Sequence, residues 1–385
     1  MMRVLMFATV AFTSVALVRA QQPVKKAIEF GWDIATPQYL RDHLAEMERT
    51  AFDGTILTTK CEHAGKEVTF EWAAWGSDKF AWEELAPSLA ALREVKPTTL
   101  KHNFVRFNTT PGDVDWFDDF EAILHNCRLV ARYAKAGGLE GICFDIEQYN
   151  SPLFDYRKQK YREQSPTRHS RFGDGAKSFE DYAFQARKRG RQVMQAFADE
   201  FPDVVILLMF GHSLPYVQAR EYDKLAQADY GLLAPFLDGM LIRCPPQARI
   251  VDGYELSYPY KTRQQFEEGR RVIKELAPTI SVFPQRVREK EECGFGIWMD
   301  YNSGRQGWHP EDFSKNHFSP QEFQQALAAA LAVCDEYVWV YTERLNWWTQ
   351  EKVPAEYLAA LRNAQLYQRR PAATRSGFIT CSGRS

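Results

Sequence analysis

Short apolar runs that end in a polar residue alternate along this chain with longer stretches of helical period. "AIEFGWD" (27–33) precedes "PQYLRDHLAEMERT", where Pro37 suits a first helical turn. "DGTILTTK" (53–60) precedes "AWEELAPSLAALREVK". "LKHNFVRFN" (100–108) precedes "DWFDDFEAILHNCRLVARYAKAGG", whose Gly137 and Gly138 read as a helix stop. "EGICFDIEQY" (140–149) follows at once. After a polar loop, "SFEDYAFQARKRGRQVMQAFADEFPD" opens on a Ser178–Asp181 capping pattern. "VVILLMFGH" (204–212) is the fifth apolar run, and "LDGMLIR" (237–243) is read as the sixth. The helical "TRQQFEEGRRVIKEL" leads to "CGFGIWMDY" (293–301), then "SPQEFQQALAAALAVCD". "EYVWVYTE" (336–343) is the eighth run, and "PAEYLAALRNAQLY" closes the series.

Eight strands, each followed by a helical stretch, predict an α/β fold: a single-domain (β/α)8 TIM barrel over residues 21–368. The fifth and sixth units are the least regular. A doubly wound open sheet is the alternative, but no Gly-rich phosphate loop follows the first strand.

In a barrel, side chains of each strand alternate between the interior and the helix layer. In "GICFDIEQY", Ile142, Phe144 and Ile146 share an apolar face. Gly141, Cys143, Asp145, Glu147 and Tyr149 share the other, which starts small and turns acidic. Charges inside a barrel are costly unless they reach its open end. Period two therefore sends Asp145 and Glu147 to the C-terminal mouth, where barrel active sites lie. A structural ion pair with a neighbouring strand is the bland alternative.

Other strand ends also turn polar: Asp33, Lys60, His212, Asp300 and Glu343, with Trp298, Trp339 and Tyr341 close by. A lone polar strand end usually meets solvent or caps a helix, but a barrel brings several such ends together. "IVDGYELSYPY" (250–260) offers Asp252, Glu255, Tyr258 and Tyr260, either as an ordinary Asp-Gly turn or as a sugar-binding rim. "RLNWWTQEKVP" places Trp347 and Trp348 past the eighth strand, where adjacent residues point apart and at most one lines the site.

Composition narrows this. The chain has 385 residues, 45% hydrophobic and 25% charged, with a net charge of −2, so no nucleic-acid or anionic-membrane partner is expected. Aromatics reach 14%, which serves core filling or sugar stacking equally. Arg3, the apolar run Val4 to Val18 and "VRA" ending at Ala20 read as an export signal, with the mature chain starting near Gln21 and secreted or periplasmic. The 7 Cys are widely spaced without a zinc pattern, and buried free thiols are the default. The tail from 369 to 385 is polar and unpatterned and is expected to be disordered.

"EGICFDIEQY" resembles the fourth-strand signature of glycoside hydrolase family 18, the chitinase-like barrels, written D-G-x-D-x-D-x-E. Gly141, Asp145 and Glu147 match it, whereas Glu140 and Cys143 replace the first two aspartates and the family's Tyr-Asp motif near strand six is missing. The whole chain is also similar to secreted bacterial barrel proteins of unassigned function grouped with glycoside hydrolases. The resemblance implies Glu147 as general acid and Asp145 as the group orienting an N-acetyl substituent. The chemistry agrees, since a protonated carboxyl must stand beside an ionised one. An Asp-x-Glu pair on one strand face sets its Cα atoms roughly 6.6 Å apart.

The expected activity is an O-glycosyl hydrolase without cofactor or metal, acting on an oligosaccharide or polysaccharide. Its catalytic set is Glu147 and Asp145, with Glu343, Asp300 or the substrate's own acetamido oxygen as nucleophile. Asp33, Lys60, Tyr149, His212, Glu255, Tyr258, Trp298, Tyr341 and Trp347 form the expected binding surface. Two rivals stand: a silent carbohydrate-binding barrel, and a metal-dependent hydrolase or lyase using Asp33, His212 and Asp300. The second has few histidines to draw on, 8 in all and no His-x-His.

Overall fold

The computed structural model describes residues 24–162, 176–302 and 307–369. The export signal and the tail beyond 369 lie outside them. Eleven strands are described: β1 (Lys26–Gly31), β2 (Gly54–Leu57), β3 (Lys60–His63), β4 (Lys66–Thr69), β5 (Phe104–Asn108), β6 (Gly141–Asp145), β7 (Val205–Leu208), β8 (Arg249–Asp252), β9 (Glu291–Cys293), β10 (Phe295–Trp298) and β11 (Tyr337–Thr342). The order is β10-β11-β1-β2-β5-β6-β7-β8-β9, with every pairing parallel.

The two ends of that series are consecutive in sequence. β9 pairs with β8, β10 pairs with β11, and only Gly294 separates them. Inside–outside alternation runs unbroken through this glycine, so β9 and β10 act as one bent seventh barrel strand. The ring closes through it, and the architecture is the α/β TIM barrel expected from the strand–helix alternation.

The strands form where expected except in three places. Leu237–Arg243 is not the sixth strand: it lies within the helix Leu233–Arg243, and the strand is β8. This helix is apolar on nearly every side because it packs beneath the long helix Phe179–Glu200, and an all-round apolar run has no period to reveal it. The fifth strand stops at Leu208, before His212. The second stops at Leu57, and Lys60 opens the separate hairpin β3–β4.

Local signals held elsewhere. Thr36 caps Pro37–Asp42, and Ser178 and Asp181 exchange the two bonds of a capping box. Gly138, at φ +69°, follows the helix Glu121–Ala136. Phe144 faces outward onto Trp75, Phe197 and Phe236, as the period-two split predicted for the apolar face. The six described cysteines are buried and free.

Inside the barrel, Trp339 lies across the axis. A Cβ on Gly296 would stand 2.7 Å from its ring, and one on Gly253 2.9 Å from its Nε1. Two glycines therefore make room for one indole, whose N–H donates to Gly253 O at 2.8 Å. Beneath it, at the N-terminal end, Glu140 accepts from Tyr337 and bonds His102, partners that outweigh its burial and hold it down to about 2.

Candidate active site

Above Trp339 the barrel opens at its C-terminal end. Asp145, the last residue of β6, is fully buried. Its Oδ2 accepts from Arg106 Nη2 at 2.5 Å and from Tyr149 OH at 2.9 Å, and its Oδ1 from the Glu147 backbone N–H at 3.1 Å. Arg106 comes from the inward face of β5. Its guanidinium also lies over Phe30 (5.2 Å) and Trp72 (5.0 Å). The ion pair named as the bland alternative thus exists, but it forms inside the mouth, beside Glu147.

Glu147 follows two residues later. Burial raises its carboxyl first, the charge of Asp145 raises it further, and Tyr149 and Arg106 only partly oppose this, leaving it at about 7. Glu255 arrives from the loop after β8. Burial and then the charges of Glu147 and Asp145 push it up to about 8. Its turn begins at Tyr254, held at φ +42°, a conformation uncommon for a bulky residue. The Tyr254 N–H is tied to Asp252 Oδ1 at 3.0 Å.

The facing wall is aromatic. Tyr258 and Tyr341 stack at 5.5 Å and 15°, and Trp298 meets each edge-on at 5.6 Å. Tyr341 OH donates to Glu343 at 3.2 Å and accepts from Trp32 Nε1 at 2.8 Å. Burial, and then Asp300, raise Glu343. Glu147, Asp145, Tyr149, Glu255, Tyr258, Trp298, Tyr341 and Glu343 therefore come together. Beyond Glu343 a cleft of about 530 Å³ runs past Trp308, Arg344, Asn346 and Lys352.

Other expected site residues do not join them. Asp300 sits at this end, but its carboxylate is engaged by the backbone N–H groups of Glu343 (3.0 Å) and Arg344 (2.7 Å) and by Trp298 Nε1 (2.9 Å). It holds the loop that carries Glu343. Asp33 Oδ2 accepts from the Trp347 N–H at 2.7 Å and clamps the same loop further on. Trp347 is fully buried against Phe52 (5.2 Å) and Trp348 is also core, so neither lines the mouth. Lys60 is exposed on the hairpin, 3.3 Å from Glu67.

His212 lies outside the barrel wall, fully buried between strands and helices. It bonds Glu291 at 2.6 Å and Asp238 at 3.4 Å. Burial opposes its charge, but these carboxylates outweigh that and raise it to about 10. The chain leaves the strand at Leu208, so His212 is not the strand end it was expected to be. Asp33, His212 and Asp300 thus do not converge as metal ligands, and among the described residues no three His, Cys, Asp or Glu side chains are grouped to hold an ion.

Four residues of the site had escaped notice. Arg106 was legible, as a charge at an inward position of the third strand. Asn108 lies on the same face, level with Asp145, buried, with neither amide atom partnered. Trp32 (71% exposed) and Trp72 (37%) stand at the rim with Tyr149 (44%), and nothing in their surroundings in sequence marked them.

No family model matches the chain, and no curated protein matches it. Solved structures of loosely similar shape include GH5_18 from Streptomyces cattleya in complex with GlcNAc (10% identity, TM-score 0.46, 94% of this chain and 83% of that one). A GH5-4 broad-specificity endoglucanase from Clostridium longisporum gives 7% identity and TM-score 0.45 over 85% of each chain. A D-psicose 3-epimerase gives 10% and 0.38 over 90% of this chain and 98% of that one. Overlaps at this level say nothing of activity; the barrel stands on its own strand order.

Proposed function

We propose that this chain is an exported glycoside hydrolase in which Glu147 is the general acid and base. The observation that carries the reading is the position of the Glu147 carboxyl in the barrel mouth, beside the ion-paired Asp145, where burial and that neighbouring charge raise it to about 7. An ordinary glutamate has lost its proton at neutral pH, whereas this one keeps enough of it to protonate a leaving oxygen. The glycosidic C–O bond breaks as that proton arrives. The Glu147 carboxylate then takes a proton from the water whose oxygen bonds the anomeric carbon.

Developing positive charge at that carbon needs an anionic or lone-pair partner. Asp300 is fully engaged by backbone N–H groups and Trp298, and Glu255, pushed up to about 8, is mostly protonated at neutral pH, so the role falls to Glu343 or a substrate acetamido oxygen. The aromatic wall of Tyr258, Tyr341 and Trp298 suits the apolar faces of sugar rings. Export rests on the Arg3 and Val4 to Val18 pattern. N-terminal sequencing of secreted protein should begin near Gln21, and a sequence starting at Met1 overturns it.

A screen of neutral glycans for new reducing ends tests the activity, with and without a chelator. Cleavage that survives chelation supports the reading. Binding without cleavage of any glycan returns the chain to the silent carbohydrate-binding class, and cleavage lost on chelation returns it to the metal-dependent one.

A further inference from the structure

We propose that Trp32 is a stacking platform for a neutral sugar residue, at one end of a surface that continues across the acids to Trp72 and Tyr149. The proposal rests on the glycoside hydrolase reading of the same mouth and adds the class of substrate and how it lies.

Trp32 is 71% exposed although it is a large apolar side chain. Its one polar atom is fixed, with Nε1–H donating to Tyr341 OH at 2.8 Å. The ring is thus anchored by its edge while much of its surface meets solvent. Tyr341 in turn bonds Glu343 and stacks on Tyr258, so the platform adjoins the catalytic wall. On the other side, Trp72 and Tyr149 pack at 4.9 Å, and Arg106 joins them to Asp145. Glu147 is close enough to both aromatic groups for its charge to act on Tyr149 and on Tyr341 alike. A glycan long enough to touch both groups crosses the acids, with sugar residues on each side of the bond to be cut.

Charge selects among glycans. Arg106 is already paired with Asp145, and Glu147, Glu255 and Glu343 face the same space. A uronate or sulfate would find no free cation there, since Arg106 is already held by Asp145, and would meet whatever fraction of these carboxyls is ionised. Uncharged hydroxyls carry no such penalty beside these carboxyls.

The test uses calorimetric titration of full-length Glu147→Gln and of Trp32→Ala/Glu147→Gln. The probes are hexasaccharides of glucose, mannose, xylose and N-acetylglucosamine, with hexagalacturonate as the anionic counterpart. At least one neutral hexasaccharide should bind, and Trp32→Ala should weaken it about tenfold. Trp32→Phe should recover part of that loss. Thermal melts should not move, because the ring is largely in solvent. Unchanged affinity in the Trp32→Ala pair, or preference for hexagalacturonate, overturns the proposal. If binding depends on Trp32 yet wild type cleaves nothing, the hydrolase reading fails and the platform stands. If wild type cleaves and Trp32→Ala leaves KM unchanged, the platform fails and the hydrolase stands.

Discussion

Arg106 Nη2 donates to Asp145 Oδ2 at 2.5 Å inside the mouth of the barrel, and Glu147 stands beside the pair rather than beside a lone acid. Burial is then the main cause of the raised Glu147 carboxyl. Asp145 adds to it, and Arg106 takes some away. Removing the aspartate charge removes one raising influence and frees the guanidinium to lower the carboxyl further. Asp145→Asn should therefore move the basic limb of the pH–rate profile, where Glu147 must still hold its proton, to lower pH. Turnover at pH 7 should fall with it. A limb that stays in place shows that Asp145 does not act on the proton donor.

Asp300 accepts the backbone N–H groups of Glu343 and Arg344. Asp300→Ala leaves these donors without their acceptor, at about 1–3 kcal/mol. Turnover should fall together with thermal stability, while Asp300→Asn, which keeps one acceptor oxygen, should lie between the two. A stable, fully active alanine variant means that the loop is held by other contacts.

Gly296→Ala tests the floor. Its Cβ would stand 2.7 Å from the Trp339 ring, and overpacking of that kind costs roughly 1–3 kcal/mol. Denaturant titration should show this loss, and an unchanged midpoint would mean that the floor has room to give.

Raised groups also set the pH dependence of stability. Glu147 at about 7, Glu255 at about 8 and His212 at about 10 all hold protons more tightly when folded. Their contribution is complete below their unfolded values, near 4.3 for Glu and 6.5 for His, and is lost as pH rises through the folded ones. Unfolding free energy should therefore fall as pH rises from about 4.3, through the two glutamates up to about 8 and through His212 up to about 10. Glu255→Gln should flatten that slope, and a rise in stability across the interval would contradict the assignments.

Much of the mouth was legible because β6 obeys period two up to its last residue. Asp145 and Glu147 were placed by alternation alone, and Tyr341 was set on the face of Glu343 by the same rule. Reading failed where the chain leaves the strand. His212 comes four residues after β7 ends, so its side chain follows loop geometry rather than the pleat, whereas Asp33, two residues past β1 as Glu147 is past β6, is drawn aside by the Trp347 backbone N–H. Trp347 was ambiguous because a buried indole and a sugar platform look alike in sequence. The helix Leu233–Arg243 was hidden because burial on most sides erases helical period. Trp32, in the turn after β1, and Trp72, in the short helix Phe70–Ala73, depend on how separate segments are arranged around the rim, and no local pattern encodes that.

The most direct measurement is the turnover ratio of wild type to Glu147→Gln on a neutral glycan that wild type cleaves, with the variant's fold checked by its melting curve. The amide is nearly the same shape but can neither donate nor accept the catalytic proton. A ratio of about 10² to 10⁴ with an unchanged fold is expected. Wild-type turnover in the variant would contradict the account and leave Glu147 a structural acid in a barrel whose chemistry lies elsewhere.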